Sequence, residues 1–146
     1  MKLRIAWVGK TKETAIQALT AEYVKRIARY NPCETTEATS ESAVLKLLDK
    51  SARTAPVFVA LDLRGKQLSS EQLAAFIKQH LERGTQELVF AIGPADGWSP
   101  QALKAAQVKL SLGPMTLPHE LARVVLVEQV YRAFTILNNH PYHGGH

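Results

Sequence analysis

The chain has 146 residues and a formal net charge of +5. That length suits one domain burying roughly two thirds of its unfolded surface, so folding needs neither a disulfide nor a metal. The one cysteine, Cys33, excludes an internal disulfide and fits a reducing compartment, while the basic balance admits an anionic partner such as nucleic acid.

Lys2–Val8 carries β-branched and aromatic residues and stops at Gly9-Lys10, which predicts a first strand. Its apolar run Ile5-Ala6-Trp7-Val8 is too short for the core of a signal peptide. Glu13–Tyr30 follows, with Ile16, Leu19, Tyr23, Val24 and Ile27 at helical spacing and basic residues late, where they suit the helix dipole. Pro32 ends it. Cys33–Thr39 reads as a polar edge strand, and Ser40–Lys50 as a helix with Ser40 at its N-cap.

Val57–Leu61 is a buried-strand run closed by Asp62 and an expected turn at Arg64-Gly65-Lys66. Ser69 or Ser70 caps a helix running to about Arg83, where Gly84 stops it. Leu88–Ile92 is a further buried strand, followed by the glycine- and proline-rich loop Gly93–Ser99. A short helix over Pro100–Ala106 and a strand over Val108–Leu112 come next, and Gly113-Pro114 breaks the strand. A long helix over about Glu120–Asn138 ends in a tail with Tyr142 and three histidines. Arg123, Glu128 and Arg132 interrupt that helix, so it is not expected to span a membrane, and the chain is read as cytoplasmic.

Apolar strands separated by helices imply an α/β fold: one domain over residues 1–146, with a mostly parallel sheet and helices on both faces. Ligands of such sheets bind beyond the carboxyl ends of the strands. Three loops leave such ends in the second half, Asp62–Lys66, Gly93–Ser99 and Gly113–His119, which puts the expected cleft there. The final helix carries apolar residues on more than one face. One sheet covers only one stripe, so the excess points to a second copy of the chain.

Several stretches taken together carry a resemblance. They are Val8-Gly9-Lys10; Leu61-Asp62 with Gly65-Lys66; Phe90-Ala91-Ile92-Gly93 with Asp96-Gly97; Met115-Thr116-Leu117-Pro118-His119; the helix segment from Arg123 to Ala133; and Asn139-His140-Pro141-Tyr142-His143. In this order, over essentially the whole chain, they resemble the RlmH-type (YbeA-like) RNA methyltransferases of the SPOUT superfamily. The resemblance implies a homodimer whose C-terminal half forms a trefoil knot around S-adenosylmethionine. It also implies methylation of N3 of a pseudouridine in large-subunit (23S) ribosomal RNA on the assembled ribosome. Carried over by position, it implies cofactor contacts at Leu61, Gly93, Leu112, Gly113, Pro114, Met115, Thr116 and Leu117.

The residue types suit that chemistry. Leu61, Ile92, Leu112, Met115 and Leu117 could sandwich a flat adenine, and Gly93 would let the backbone come close to a ligand. Methyl transfer to N3 requires alignment with the methyl group and loss of a proton. His143, Tyr142, His119 and Arg123 are the local candidates. His143 is favoured as base because histidine titrates near neutral pH, and Arg123 could stabilise an imide anion or hold a phosphate. Each has a plainer alternative: His119 as helix-end surface, Arg123 and Arg132 as helical ion-pair partners of Glu120 and Glu128, and Tyr142 and His143 as a frayed tail. Lys10, Lys12, Arg64, Lys66 and Lys104 are candidates for a phosphate-contacting rim. His140, His143 and His146 recur every third residue, but Pro141 and Gly144-Gly145 keep a helix from aligning them, so no metal is expected.

The chain departs from the family at two places. Gly93-Pro94 stands where the family has two glycines, and proline removes a backbone donor. Gly144-Gly145-His146 replaces the family's terminal basic residue. These departures keep open a non-catalytic RNA-binding domain on the same fold, or a related methyltransferase with another RNA target.

Overall fold

The computed structural model describes residues 1–48 and 54–142. Strand and helix alternate throughout: β1 (Lys2–Val8), α1 (Thr14–Ala28), β2 (Cys33–Ala38), α2 (Glu41–Leu48), β3 (Val57–Gln67), α3 (Ser70–Arg83), β4 (Glu87–Ile92), α4 (Pro100–Ala105), β5 (Val108–Ser111) and α5 (His119–Leu137). Every strand pair is parallel, and the sheet order is β2-β1-β4-β3-β5. The expected mostly parallel α/β sheet is therefore present.

Side chains alternate across the sheet and build two cores. Leu3, Ile5, Trp7 and Phe90 pack with Ile27 of α1, Ile77 of α3 and Leu126, Val130 and Phe134 of α5. On the opposite face, Ala6, Phe58, Ala60, Val89 and Ala91 pack with Val44 of α2 and Ala102 of α4. Helices thus cover both faces. No helix of the described residues is long and apolar enough to cross a membrane.

Local rules account for most boundaries. Ser69 caps α3, accepting from the Gln72 N–H while the Gln72 side chain accepts from the Ser69 N–H, and Gly84 closes the helix in the left-handed region at φ 75°. Ser99 caps α4, with Pro100 in its first turn. Ser40 accepts from the Ala43 N–H at the start of α2, as expected, while the predicted end of that helix, Asp49-Lys50, lies outside the described residues. Helix α5 begins one residue before the predicted start.

One boundary is corrected. The turn expected at Arg64-Gly65-Lys66 is not there. β3 runs on to Gln67, and its pairing with β5 shifts register between Leu61 and Lys66, both opposite Leu110. The sequence pattern misses this because the extension rests on contact rather than hydropathy. A Cβ on Gly65 would lie 2.6 Å from the Lys109 carbonyl, so only glycine lets the strands approach there.

The apolar surplus of α5 is partly accounted for within the chain, while Leu121 is exposed and Val124, Val125, Ile136 and Leu137 are half-buried. The helix lies against α1 and α3 as well as the sheet, and Leu126, Val127, Val130, Ala133 and Phe134 are all buried. That surplus does not by itself require a second copy.

Candidate active site

The three segments expected at the strand ends, two loops and the continuation of β3, meet around one cleft of about 430 Å³. Leu61–Leu63 closes one side, Ile92–Trp98 another, and Leu112, Gly113, Met115, Thr116 and Leu117 a third, with His119 and Ala122 of α5 behind them. Of the eight positions expected to touch a cofactor, Leu61, Gly93, Leu112, Gly113, Met115, Thr116 and Leu117 line this space. Pro114 is exposed and does not. Among the lining residues the only aspartates or glutamates are Asp62 and Asp96, and there is no lysine or arginine.

Gly93 has a packing reason of its own to be glycine. A Cβ there would lie 2.6 Å from Cδ2 and Cε2 of Trp98, so its missing side chain makes room for the indole. Trp98 is held in place by its Nε1–H donating to the Leu61 carbonyl at 3.0 Å and by an edge-on contact with Phe58. One indole therefore braces the loop after β4 against β3. Pro94 sits in a turn closed by the Gly97 N–H donating to the Pro94 carbonyl, with Gly97 at φ 94°, so this turn uses no donor from residue 94.

The third loop is shaped by Ser111. Its hydroxyl bonds both the N–H and the carbonyl of Gly113, which adopts φ 128°. The main-chain groups of Met115–Leu117 pair with no other described residue and border the cleft.

His119 lines the cleft from α5, and Arg123 lies one turn further along the helix, behind it. Arg123 is 2% exposed. It donates to the Thr11 hydroxyl, to the Val8 carbonyl at 3.5 Å and to His119 Nδ1 at 2.9 Å, and lies over the Trp7 ring. Its Nε has no hydrogen-bond partner among the described residues. Burial lowers the Arg123 pKa, against the opposing pull of Glu120 and Glu37. The other nitrogen of His119, Nε2, bonds the Gly93 carbonyl.

The expected helical pair between Arg123 and Glu120 is not formed, because both side chains reach instead to the loop after β1. Glu120 Oε1 accepts the N–H groups of Lys12 and Glu13, capping α1 from another element, since Glu13 makes no side-chain cap of its own. Glu37 Oε1 accepts the Thr11 N–H and the Trp7 indole N–H, and the Thr11 N–H leads the causes that lower the Glu37 pKa. The loop after β1 was absent from the three sequence-named loops, yet Thr11 belongs to the site's support. The rule that strand ends carry ligands extends equally to β1, and was the available signal.

Tyr142 lies elsewhere. Its hydroxyl donates to Glu128 Oε2 at 2.8 Å, and its ring packs edge-on against Tyr131 and under Arg132, which pairs with Glu128 at 2.7 Å. Burial is the first cause of its raised phenol pKa. His143 and His146 lie outside the described residues, and His140 is exposed. Among the described residues no three His, Cys, Asp or Glu side chains are grouped to hold a metal. Lys10, Lys12, Arg64, Lys66 and Lys104 are all exposed.

A model of the SPOUT methyltransferase family, described as a predicted SPOUT methyltransferase, matches residues 1–143. Over its whole length the chain is 62% identical to the Ribosomal RNA large subunit methyltransferase H of Koribacter versatilis, all of which is covered. It is 42% identical to the protein of the same name from Geotalea uraniireducens, over 98% of this chain and 99% of that one. A probable methylase family protein of Haemophilus influenzae superposes with a TM-score of 0.57 over 96% of this chain and 69% of its own. At 12% identity this is a likeness of fold alone.

Proposed function

Since the chain belongs to the SPOUT methyltransferase family, we propose that it methylates N3 of a pseudouridine in large-subunit ribosomal RNA, using S-adenosylmethionine. The observation that carries this reading is the cleft where three strand-end segments meet, on a chain with a full-length relative named for that class of reaction.

The residues present fit the cofactor. A cleft of about 430 Å³ is of the size that takes small organic cofactors. Leu61, Leu112, Met115 and Leu117 offer apolar walls for an adenine, and the main chain of Met115–Leu117, unpaired among the described residues, offers groups to read its edge. The cationic sulfonium and ammonium groups suit a lining that includes Asp62 and Asp96 and lacks lysine and arginine. When bound, the cofactor supplies an electrophilic methyl group. The chain's task is to align the acceptor nitrogen, exclude water and take up the N3 proton. The strand order is compatible with the trefoil knot that the resemblance implies.

The proton acceptor in this reading comes from the tail. Both nitrogens of His119 are engaged, and Arg123 is sealed behind it, so neither is the base. Tyr142 rests at Glu128, nine residues and about 13 Å of helix rise beyond His119. In this reading His143 serves the cleft of a second copy, and the enzyme is a homodimer. The exposed Leu63 and Met115 at the cleft and Leu121 beside it, which a second copy would cover, support that arrangement. Lys10, Lys12, Arg64, Lys66 and Lys104 are the phosphate-contacting rim, and the site of action is the ribosome in the cytoplasm.

The test is incubation with methyl-labelled S-adenosylmethionine and ribosomes that lack the modification. Label in the large-subunit RNA is the expected result. Ribosome binding without transfer would leave a non-catalytic RNA-binding domain, and label in transfer RNA alone would mean another target.

A further inference from the structure

We propose that Arg123 and Thr11 are positioning residues that hold His119 in one tautomer, and that this tautomer fixes the Gly93 carbonyl at the edge of the cofactor cleft. The argument rests on hydrogen-bond chemistry. A guanidinium has donors and no acceptor, so the 2.9 Å contact from Arg123 Nη2 requires a lone pair on His119 Nδ1. A carbonyl oxygen only accepts, so the contact between His119 Nε2 and Gly93 requires a hydrogen on Nε2. One form of imidazole satisfies both, the neutral ring carrying its hydrogen on Nε2. The opposite tautomer would set two lone pairs against each other at Gly93 and two hydrogens against each other at Arg123.

Arg123 can select the tautomer only if it is itself held, and Thr11 holds it. All three polar groups of Thr11 are engaged: its hydroxyl accepts from Arg123, its N–H donates to Glu37 and its carbonyl accepts from the Gln17 side chain. Gly9, at φ 102°, brings the chain past the guanidinium, and a Cβ there would lie 3.6 Å from Arg123 Nη2. Neither Thr11 nor Arg123 lines the cleft, so both act through His119. Gly93 directly follows β4 and packs against Trp98, which bonds Leu61, so a shift of its carbonyl would reach two walls of the cleft together. The inference depends on the cofactor reading only in its consequence, since the tautomer can be observed without a cofactor.

Two measurements test it on the full chain. Nitrogen-15 spectra of histidine-labelled protein should show His119 with its hydrogen on Nε2, and Thr11→Val should give a mixture of tautomers. Calorimetry with S-adenosylmethionine should show Thr11→Val binding roughly tenfold more weakly, the scale of one lost hydrogen bond to a charged group. Thr11→Ser, which keeps the hydroxyl, should restore both, and the thermal midpoint of each variant reports whether it is folded. A hydrogen on Nδ1 in the wild type, or a folded Thr11→Val with wild-type tautomer and affinity, overturns the proposal. A wild type with the expected tautomer that binds no S-adenosylmethionine would instead overturn the cofactor reading.

Discussion

Trp98 occupies the space that a side chain on Gly93 would need: a Cβ there would lie 2.6 Å from the indole carbons. The glycine is thus required by the protein's own packing, and the cleft wall is as stable as that pair. Gly93→Ala should displace the indole, weaken its bond to the Leu61 carbonyl and destabilise the fold by about 1–3 kcal/mol, the usual cost of overpacking. Urea unfolding followed by tryptophan fluorescence measures this, and an unchanged midpoint would contradict the packing account.

Gly65→Ala should be more damaging. The obstruction there is the Lys109 and Leu110 main chain, not the movable face of a side chain. The register shift between β3 and β5 has no room for it, so the second half of β3 should separate from β5. Faster amide exchange at Lys66 and Gln67 than in β1 and β4 is the expected signature.

Glu120→Ala should loosen the start of α1. The carboxylate accepts the N–H groups of Lys12 and Glu13, and those bonds lower its pKa. The sign follows from that lowering. The contribution is fully present above the ordinary value of 4.5 and is lost as pH falls below it. Wild type and variant should therefore differ in thermal midpoint at pH 7 and converge in acid, whereas a difference that widens in acid would refute the cap.

His80 gives a second pH dependence nearer neutrality. It is buried, bonds the Thr85 hydroxyl at 2.8 Å and meets Phe76 edge-on, and burial pushes its pKa below 6.5. The unfolded chain therefore binds more protons between that depressed value and 6.5, so stability falls as pH drops through this window. Urea midpoints at pH 7.5 and 5.5 should differ by more in the wild type than in His80→Gln, which has nothing to titrate there.

Glu128→Ala should release the tail, because Tyr142 and Arg132 both bond its Oε2. Protease digestion of the folded protein should cut after Tyr142 faster in the variant, with α5 intact by circular dichroism. Equal rates would show that other contacts hold the tail.

Much of this architecture was legible in the sequence, and the failures have a common cause. Hydropathy periods and caps located the alternating elements, and the strand-end rule named three segments that do meet at one cleft, though the first of them continues β3. What escaped were contacts between residues distant in the chain. Arg123 and Glu120, three apart on a helix, suggested a local pair, yet each reaches a loop more than a hundred residues earlier. At Gly93, nothing in the neighbouring sequence reveals that Trp98 folds back over it. Gly65 suggested a turn because close approach to Lys109 leaves no hydropathy signal. Thr11 lies in the loop after β1, which the strand-end rule also covers, but as one threonine among several its residue type marks no role.

The central claim, methyl transfer to N3 of a pseudouridine in large-subunit ribosomal RNA, is tested most directly by mapping modified nucleotides. RNA from a strain lacking this gene would be compared by mass spectrometry with RNA from the same strain after the gene is restored. The account predicts that one N3-methylpseudouridine in the large-subunit RNA disappears and returns with the gene. An unchanged large-subunit map, or a loss confined to another RNA, would contradict it.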